Sequence, residues 1–226
     1  MKNVIAIDGP AAAGKSTLAR AIARQLDFKY LDTGAMYRAL TWLALKKNID
    51  LNDPHALSEL ARNMNLKCLP ARNNNGSRIL INDREITSQL RIPAIDNNVS
   101  KIARVRGVRE AMVQIQRQIA AGGKIVMDGR DIGSRVLPDA EYKFFITASL
   151  QERAIRRYRE LKEKNPELTL AQVKEDIKKR DHLDKNREVS PLVRAEDARL
   201  IDTTELSIEE VVSRVKHIIE KGETDG

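Results

Sequence analysis

Residues 9–16, Gly9-Pro10-Ala11-Ala12-Ala13-Gly14-Lys15-Ser16, satisfy the spacing G-x-x-x-x-G-K-[ST]. Each residue type in that pattern has a task on a phosphate chain. The glycines let consecutive backbone N–H groups wrap around phosphate oxygens, and the helix that follows adds the partial positive charge of its N-terminus. Lys15 is placed to bridge the β- and γ-phosphates of a nucleoside triphosphate, and the Ser16 hydroxyl to ligate Mg²⁺, which neutralises charge on the same oxygens. Thr17 adds a hydroxyl for the α-phosphate. The chemistry these residues support is binding of a nucleoside triphosphate with Mg²⁺ so that its γ-phosphoryl can react, and Ser16 is the expected metal ligand.

A second set of candidates is rich in arginine and aspartate. Asp128-Gly129-Arg130-Asp131 follows a short apolar run, and its arginine beside two acids suggests anion binding. Asp128 reads either as a strand-end hydrogen-bond acceptor or as an indirect partner of Mg²⁺. Arg153, Arg156, Arg157 and Arg159 crowd one charged helical segment. They read either as a solvated face with ordinary ion pairs or as a group brought over a phosphate site. His55, His182 and His217 lack neighbours at metal-ligand spacing and read as surface residues. Cys68 is the only cysteine, which excludes an intramolecular disulfide and favours a small apolar filler in a reducing compartment.

These residues need elements to hold them. Residues 3–8 (NVIAID) form an apolar run, and residues 16–25 carry apolar side chains at helical spacing, so the loop lies between a strand and a helix. Similar short runs recur at residues 28–31, 124–128, 142–146 and 199–202, separated by sequence that reads mainly as helix. That rhythm predicts an α/β fold, a three-layer P-loop architecture around a parallel sheet of five core strands. Residues 65–86 break the rhythm with short β-prone pieces and turn clusters at residues 73–76 and 82–83, predicting a small antiparallel β insert. Residues 151–189 are charged and helical, interrupted at Pro166, with a second helix beginning near Thr169. Ser207 to Glu210 is a capping box opening a packing helix, and the tail 222–226 reads as frayed. The expected organisation is a single kinase domain. Its core comprises residues 1–62, 103–150 and 188–226, with an insert over about 63–102 and a helical lid over about 151–187.

The chain has 226 residues, 42% hydrophobic and 32% charged, enough for one α/β core with excursions. A formal charge of +8 favours polyanionic partners without choosing among them. No stretch has the length of a signal or membrane-spanning segment, so a soluble cytoplasmic protein with no membrane partner is expected. Aromatic residues make up 4% of the chain, with no RNP-like pair, KH loop or zinc knuckle, which argues against a nucleic-acid partner. A GTPase would need Asn-Lys-x-Asp, and Asp184-Lys185-Asn186-Arg187 reverses that order.

The chain resembles the bacterial cytidylate kinase family over nearly its whole length. The resemblance is carried by IDGPAAAGKST (residues 7–17), YLDTGAMYR (30–38), VREA (108–111), DGRDIG (128–133) and RDHLDKNR (180–187), in that order. It implies transfer of the γ-phosphoryl of ATP to CMP or dCMP by a monomer, with Mg²⁺ as cofactor. By the same resemblance Thr33, Arg109 and Asp131, helped by Ser100, face the acceptor base, with Asp131 meeting the amino group of cytosine. Arg38, Arg130 and Arg187 hold the acceptor phosphate, and Asp184 with Arg180 contacts its sugar or the phosphates. The β insert becomes the monophosphate-binding lobe, and the lid brings Arg153 and Arg157 to the transferring group. The catalytic set is then Lys15, Arg130, Arg153 and Arg157. Thr33 stands where relatives often carry Ser, and Leu183 occupies a place that is often basic. A kinase acting on UMP, AMP or a coenzyme precursor shares the loop and lid, and acceptor specificity separates it from the reading above.

Overall fold

A computed structural model describes residues 1–70, 77–163 and 165–221. The elements, in chain order, are β1 (Val4–Asp8), α1 (Lys15–Gln25), β2 (Lys29–Asp32), α2 (Thr33–Lys46), α3 (Pro54–Asn63), β3 (Leu66–Pro70), β4 (Ser77–Ile81), β5 (Arg84–Glu85), α4 (Pro93–Asp96), α5 (Val99–Ile102), α6 (Arg106–Ala120), β6 (Ile125–Asp128), β7 (Tyr142–Thr147), α7 (Leu150–Lys162), α8 (Leu170–Lys185), β8 (Arg199–Asp202) and α9 (Ile208–Lys221).

β1, β2, β6, β7 and β8 form a 5-stranded parallel sheet in the order β2-β6-β1-β7-β8. β1 is central: Val4 pairs with Ile125 on one side and Ile5 with Tyr142 on the other. A parallel sheet covered on both faces needs apolar residues without alternation, and every residue of β1 and β6 is buried. One face is covered by α1 and α9, whose Leu18, Ile22, Val211 and Val215 pack with Ile5, Ile7 and Phe144. The other carries α2 and α6, with Met36, Leu40, Val108 and Met112 against Val4, Ala6 and Met127. All five strands run the same way, so the ends of β1, β2 and β6 and the loops after them share one edge, where open α/β sheets bind ligands.

The insert contains a 3-stranded antiparallel sheet, β3-β4-β5, closed between β4 and β5 at Asn82 and Asp83, both with positive φ (49° and 64°) as a tight hairpin requires. The turn expected at residues 73–76 and the tail 222–226 lie outside the described residues. The part of the expected insert that follows its β segment, residues 93–102, is largely helical. Pro93 opens α4 at its first turn, where a missing N–H costs no hydrogen bond, and α5 follows directly. Thr169 caps α8 in a reciprocal capping box with Gln172, and α7 and α8 share a small core of their own, Ala154, Val173 and Ile177. Ser207 and Glu210 bond reciprocally at 2.8 and 3.3 Å ahead of α9, as their spacing predicts. Among the described residues no helix is long and apolar enough to cross a membrane.

Candidate active site

The loop after β1 crosses the end of β7 closely. A Cβ on Gly9, at φ 144°, would lie 2.0 Å from the Ile146 carbonyl oxygen, so only glycine permits this passage. Gly14, at φ 87°, precedes α1, whose first turn has neither a side-chain cap nor an acidic residue. Its N–H groups are therefore left to an anion. Lys15 is buried beneath the loop and its Nζ donates to the Pro10 carbonyl at 2.7 Å. Burial, followed by the nearby Arg130 charge, lowers the Lys15 ammonium to about 7.

Asp128, at the end of β6, collects hydroxyls from three other segments. Ser16 Oγ donates to Oδ2 at 2.7 Å, Tyr30 donates to Oδ1 at 2.8 Å, and Thr33 Oγ1 donates to its backbone carbonyl at 2.7 Å. Burial and then the Asp32 charge raise the Asp128 carboxyl above its ordinary value. A serine hydroxyl and a carboxylate side by side are hard oxygen donors, and this pair fits a Mg²⁺ ion that takes its remaining ligands from phosphates and water.

The turn that follows is anchored by Asp8, the residue just before Gly9. Its carboxylate accepts from the N–H of Ile132 at 2.8 Å and of Gly133 at 2.7 Å, tying the phosphate loop to the segment that presents Arg130 and Asp131. Burial pushes the Asp8 carboxyl up to about 7, against the two amide hydrogen bonds. Asp131 pairs with Arg109, both nearly fully buried, and Arg109 also donates to the Ala103 carbonyl at 3.2 Å and lies 5.7 Å from the centre of the Tyr37 ring. Tyr37 belongs to the core, and burial pushes its phenol up to about 12.

Arg130, Arg180, Asp184 and Arg187 meet at the end of α8. Asp184, 1% exposed, accepts from Arg130 Nε at 2.7 Å and from Arg187. Burial would raise its pKa, but the charges of Arg130 and Arg187 hold it below the ordinary carboxylate value. Burial and the Arg130 charge lower Arg180 to about 10. The Nε atoms of Arg38, Arg109 and Arg180 are buried and have no hydrogen-bond partner. Arg38 lies near two carboxylates, 3.5 Å from Asp32 and 3.8 Å from Asp96. Ser100 sits half-buried on α5, which packs on α2 and α8. A cleft of about 240 Å³ opens beside Ser16, Tyr30, Asp32, Arg38 and Arg91.

The two lid arginines differ. Arg157 is half-buried and contacts Asp96 at 3.5 Å and Glu160 at 3.0 Å. Arg153 is buried, donating to the carbonyls of Ala148 at 3.0 Å and Ala11 at 3.1 Å and pairing with Asp181 at 2.7 Å, so it clamps α7 to the phosphate loop and to α8. The sequence expectation did not include that bracing role. Arg156 reaches the loop after β8, donating to Thr203 Oγ1 at 3.0 Å and to its carbonyl at 2.6 Å. Leu183 faces solvent. The three histidines are exposed, and among the described residues no cluster of metal ligands exists. Burial raises the Cys68 thiol to about 12, consistent with an inert filler. Asp8, Tyr30, Asp96 and Asp181 were not singled out from sequence. Only Asp8, an acid at the end of an apolar strand next to the glycine loop, carried a local signal.

A family model described as cytidylate kinase matches residues 5–221. Curated relatives include the cytidylate kinases of Caldanaerobacter subterraneus, 51% identical over 217 residues with 96% of this chain and 94% of that one covered, and of Bacillus velezensis, 50% identical over 217 residues with 96% of each covered. That of Carboxydothermus hydrogenoformans is 49% identical over 215 residues, covering 95% and 96%. Among solved structures, an uncharacterized protein from Eubacterium ventriosum aligns at a TM-score of 0.53 with 12% identity over 97% of this chain and 99% of that one, a likeness of fold alone.

Proposed function

The chain belongs to the cytidylate kinase family, and from that premise we propose that it transfers the γ-phosphoryl group of ATP to CMP or dCMP, giving the diphosphate and ADP. The acceptor's phosphate oxygen is already anionic near neutral pH, so no strong general base is needed. Catalysis rests on in-line placement and on neutralising charge.

The loop amides and Lys15 hold the donor phosphates. Ser16, with Asp128 behind it, would hold Mg²⁺, which would supply neutralising charge to the donor's phosphates. Arg38, Arg130, Arg180 and Arg187 take the acceptor phosphate, and Asp184 keeps Arg130 and Arg187 in place. The buried Nε atoms of Arg38 and Arg180, which make no hydrogen bond, carry this reading, because a buried guanidinium N–H left without a hydrogen bond calls for an anion. Asp131 and Arg109, supported by Thr33 and Ser100, read the cytosine edge. The carboxylate keeps lone pairs beyond its bond to Arg109 and accepts from the exocyclic amine, which UMP lacks. Arg157, half-buried on the lid helix, reaches the transferring group, while Arg153 holds that helix to the loop. Closure of α7 and α8 excludes water that would otherwise accept the phosphoryl group.

The test is ADP release with Mg·ATP and a panel of CMP, dCMP, UMP, AMP and GMP, with and without excess chelator, on wild type and Asp131→Ala. CMP and dCMP turn over fast, chelation stops the reaction, and Asp131→Ala raises the KM for CMP by roughly tenfold or more, the size of a lost hydrogen bond to a charged group. No stimulation by any monophosphate would remove the assignment, and equal turnover of UMP would remove the role of Asp131.

A further inference from the structure

Asp96 ends α4 in the insert, yet its carboxylate faces residues of the core and the lid. One oxygen lies 3.8 Å from Arg38 Nε on α2, and the other 3.5 Å from an Nη of Arg157 on α7. Arg180 on α8, half-buried, also feels its charge. A single carboxylate therefore joins elements from three parts of the molecule, and Arg38 and Arg157 are cations assigned above to phosphate.

A carboxylate offers a guanidinium the same anionic oxygens that a phosphate does, with less charge. Both contacts are longer than the 2.7–2.9 Å of a well-formed charge-assisted hydrogen bond, so the arginines are held loosely. Asp32, the other acid beside Arg38, caps α2 by accepting from the Ala35 N–H at 3.0 Å and is fixed there. Among the described residues Asp96 has no such backbone tie, and its side chain is 29% exposed, free to swing towards solvent.

We propose that Asp96 is an internal competitor of the acceptor's phosphate. It keeps Arg38 and Arg157 near their working positions before substrate binds, and it yields them when a nucleoside monophosphate enters. Its net effect is to weaken acceptor binding and so to set the KM for CMP upward. This rests on the reading of Arg38 as a ligand of the acceptor phosphate.

Asp96→Asn keeps the size and removes the charge. Steady-state kinetics give KM for CMP, KM for ATP and the inhibition constant of inorganic sulfate against CMP, and calorimetry gives sulfate affinity without turnover. The KM for CMP falls about two- to fivefold, the range of one partly exposed ion pair. Sulfate competes with CMP more strongly by a similar factor, and the KM for ATP moves less than the KM for CMP, since of the two arginines only Arg157 meets the transferring group. Asp96→Glu, which retains the charge, does not lower the KM. A residue that merely braced the insert against the lid would give the opposite sign, so an unchanged or higher KM for CMP in Asp96→Asn overturns the proposal, as does a fall in KM without tighter sulfate. Wild-type turnover of CMP tests the underlying reading in the same assay. If the wild type does not phosphorylate CMP, that reading has failed. Calorimetric sulfate binding still judges Asp96, standing if the substitution tightens it and falling if it does not.

Discussion

In the function proposed above Lys15 holds phosphates as a cation, yet burial and the Arg130 charge lower it from 10.5 to about 7. Between those values the unfolded chain binds the proton more readily, so this residue's contribution to stability rises with pH through that window and is lost as pH falls through about 7. The phosphates of ATP reverse the balance by bringing negative charge to Nζ. ATP binding at pH 8 is accordingly accompanied by uptake of up to about one proton. Calorimetric titrations in two buffers of different ionisation enthalpy measure it, and an enthalpy independent of buffer would contradict it. Lys15 and Ser16 were legible because their spacing is local. The hydroxyls around Asp128 were not, since Ser16 lies 112 residues away from it and Tyr30 98. Nothing in a linear pattern joins such residues until the sheet brings strand ends together.

The strands were legible as short apolar runs because a doubly covered parallel sheet tolerates no polar alternation. β1 and β6, buried throughout, show this most clearly. α4 and α5, 4 residues each, were missed because a single turn is too short to display helical periodicity. The contact between Gly9 and β7 was also invisible, although the glycine itself was marked. Gly9→Ala would push a methyl group into the Ile146 carbonyl, so the end of β1 must separate from β7. It destabilises the fold by more than about 2 kcal/mol, the scale of strain or overpacking at a fixed backbone position, read as a lower urea midpoint with weakened ATP binding. Arg153 braces two elements at once. Arg153→Ala leaves Asp181, whose side chain is 14% exposed, without its cation and costs about 3 kcal/mol, the lower end for a broken buried pair. That loss appears in the same denaturation measurement, whereas a residue that only contacts the transferring phosphoryl would leave the midpoint unmoved.

Across the molecule the apolar interior is divided. The sheet's two faces each have a core, while α7 and α8 are held together by a separate small cluster, Ala154, Val173 and Ile177. A unit with so little apolar contact opens at lower free energy than the sheet. Hydrogen exchange therefore slows in α8 and α4 when ATP and CMP are both present, while β1 and β6 exchange slowly in either condition. Equal slowing everywhere would mean that the lid is not a separate unit. The order β2-β6-β1-β7-β8 could not be read from sequence, since apolar runs reveal strands without naming their neighbours. That order also bears on how the protein is made. β1 is synthesised ahead of every other strand, yet it pairs with Ile125 and Tyr142, more than a hundred residues downstream. On the ribosome its apolar backbone waits for both partners while half the chain emerges, and a nascent chain halted before β6 has neither neighbour for that strand. Until both neighbours have emerged, that strand is an open edge that other chains can pair with.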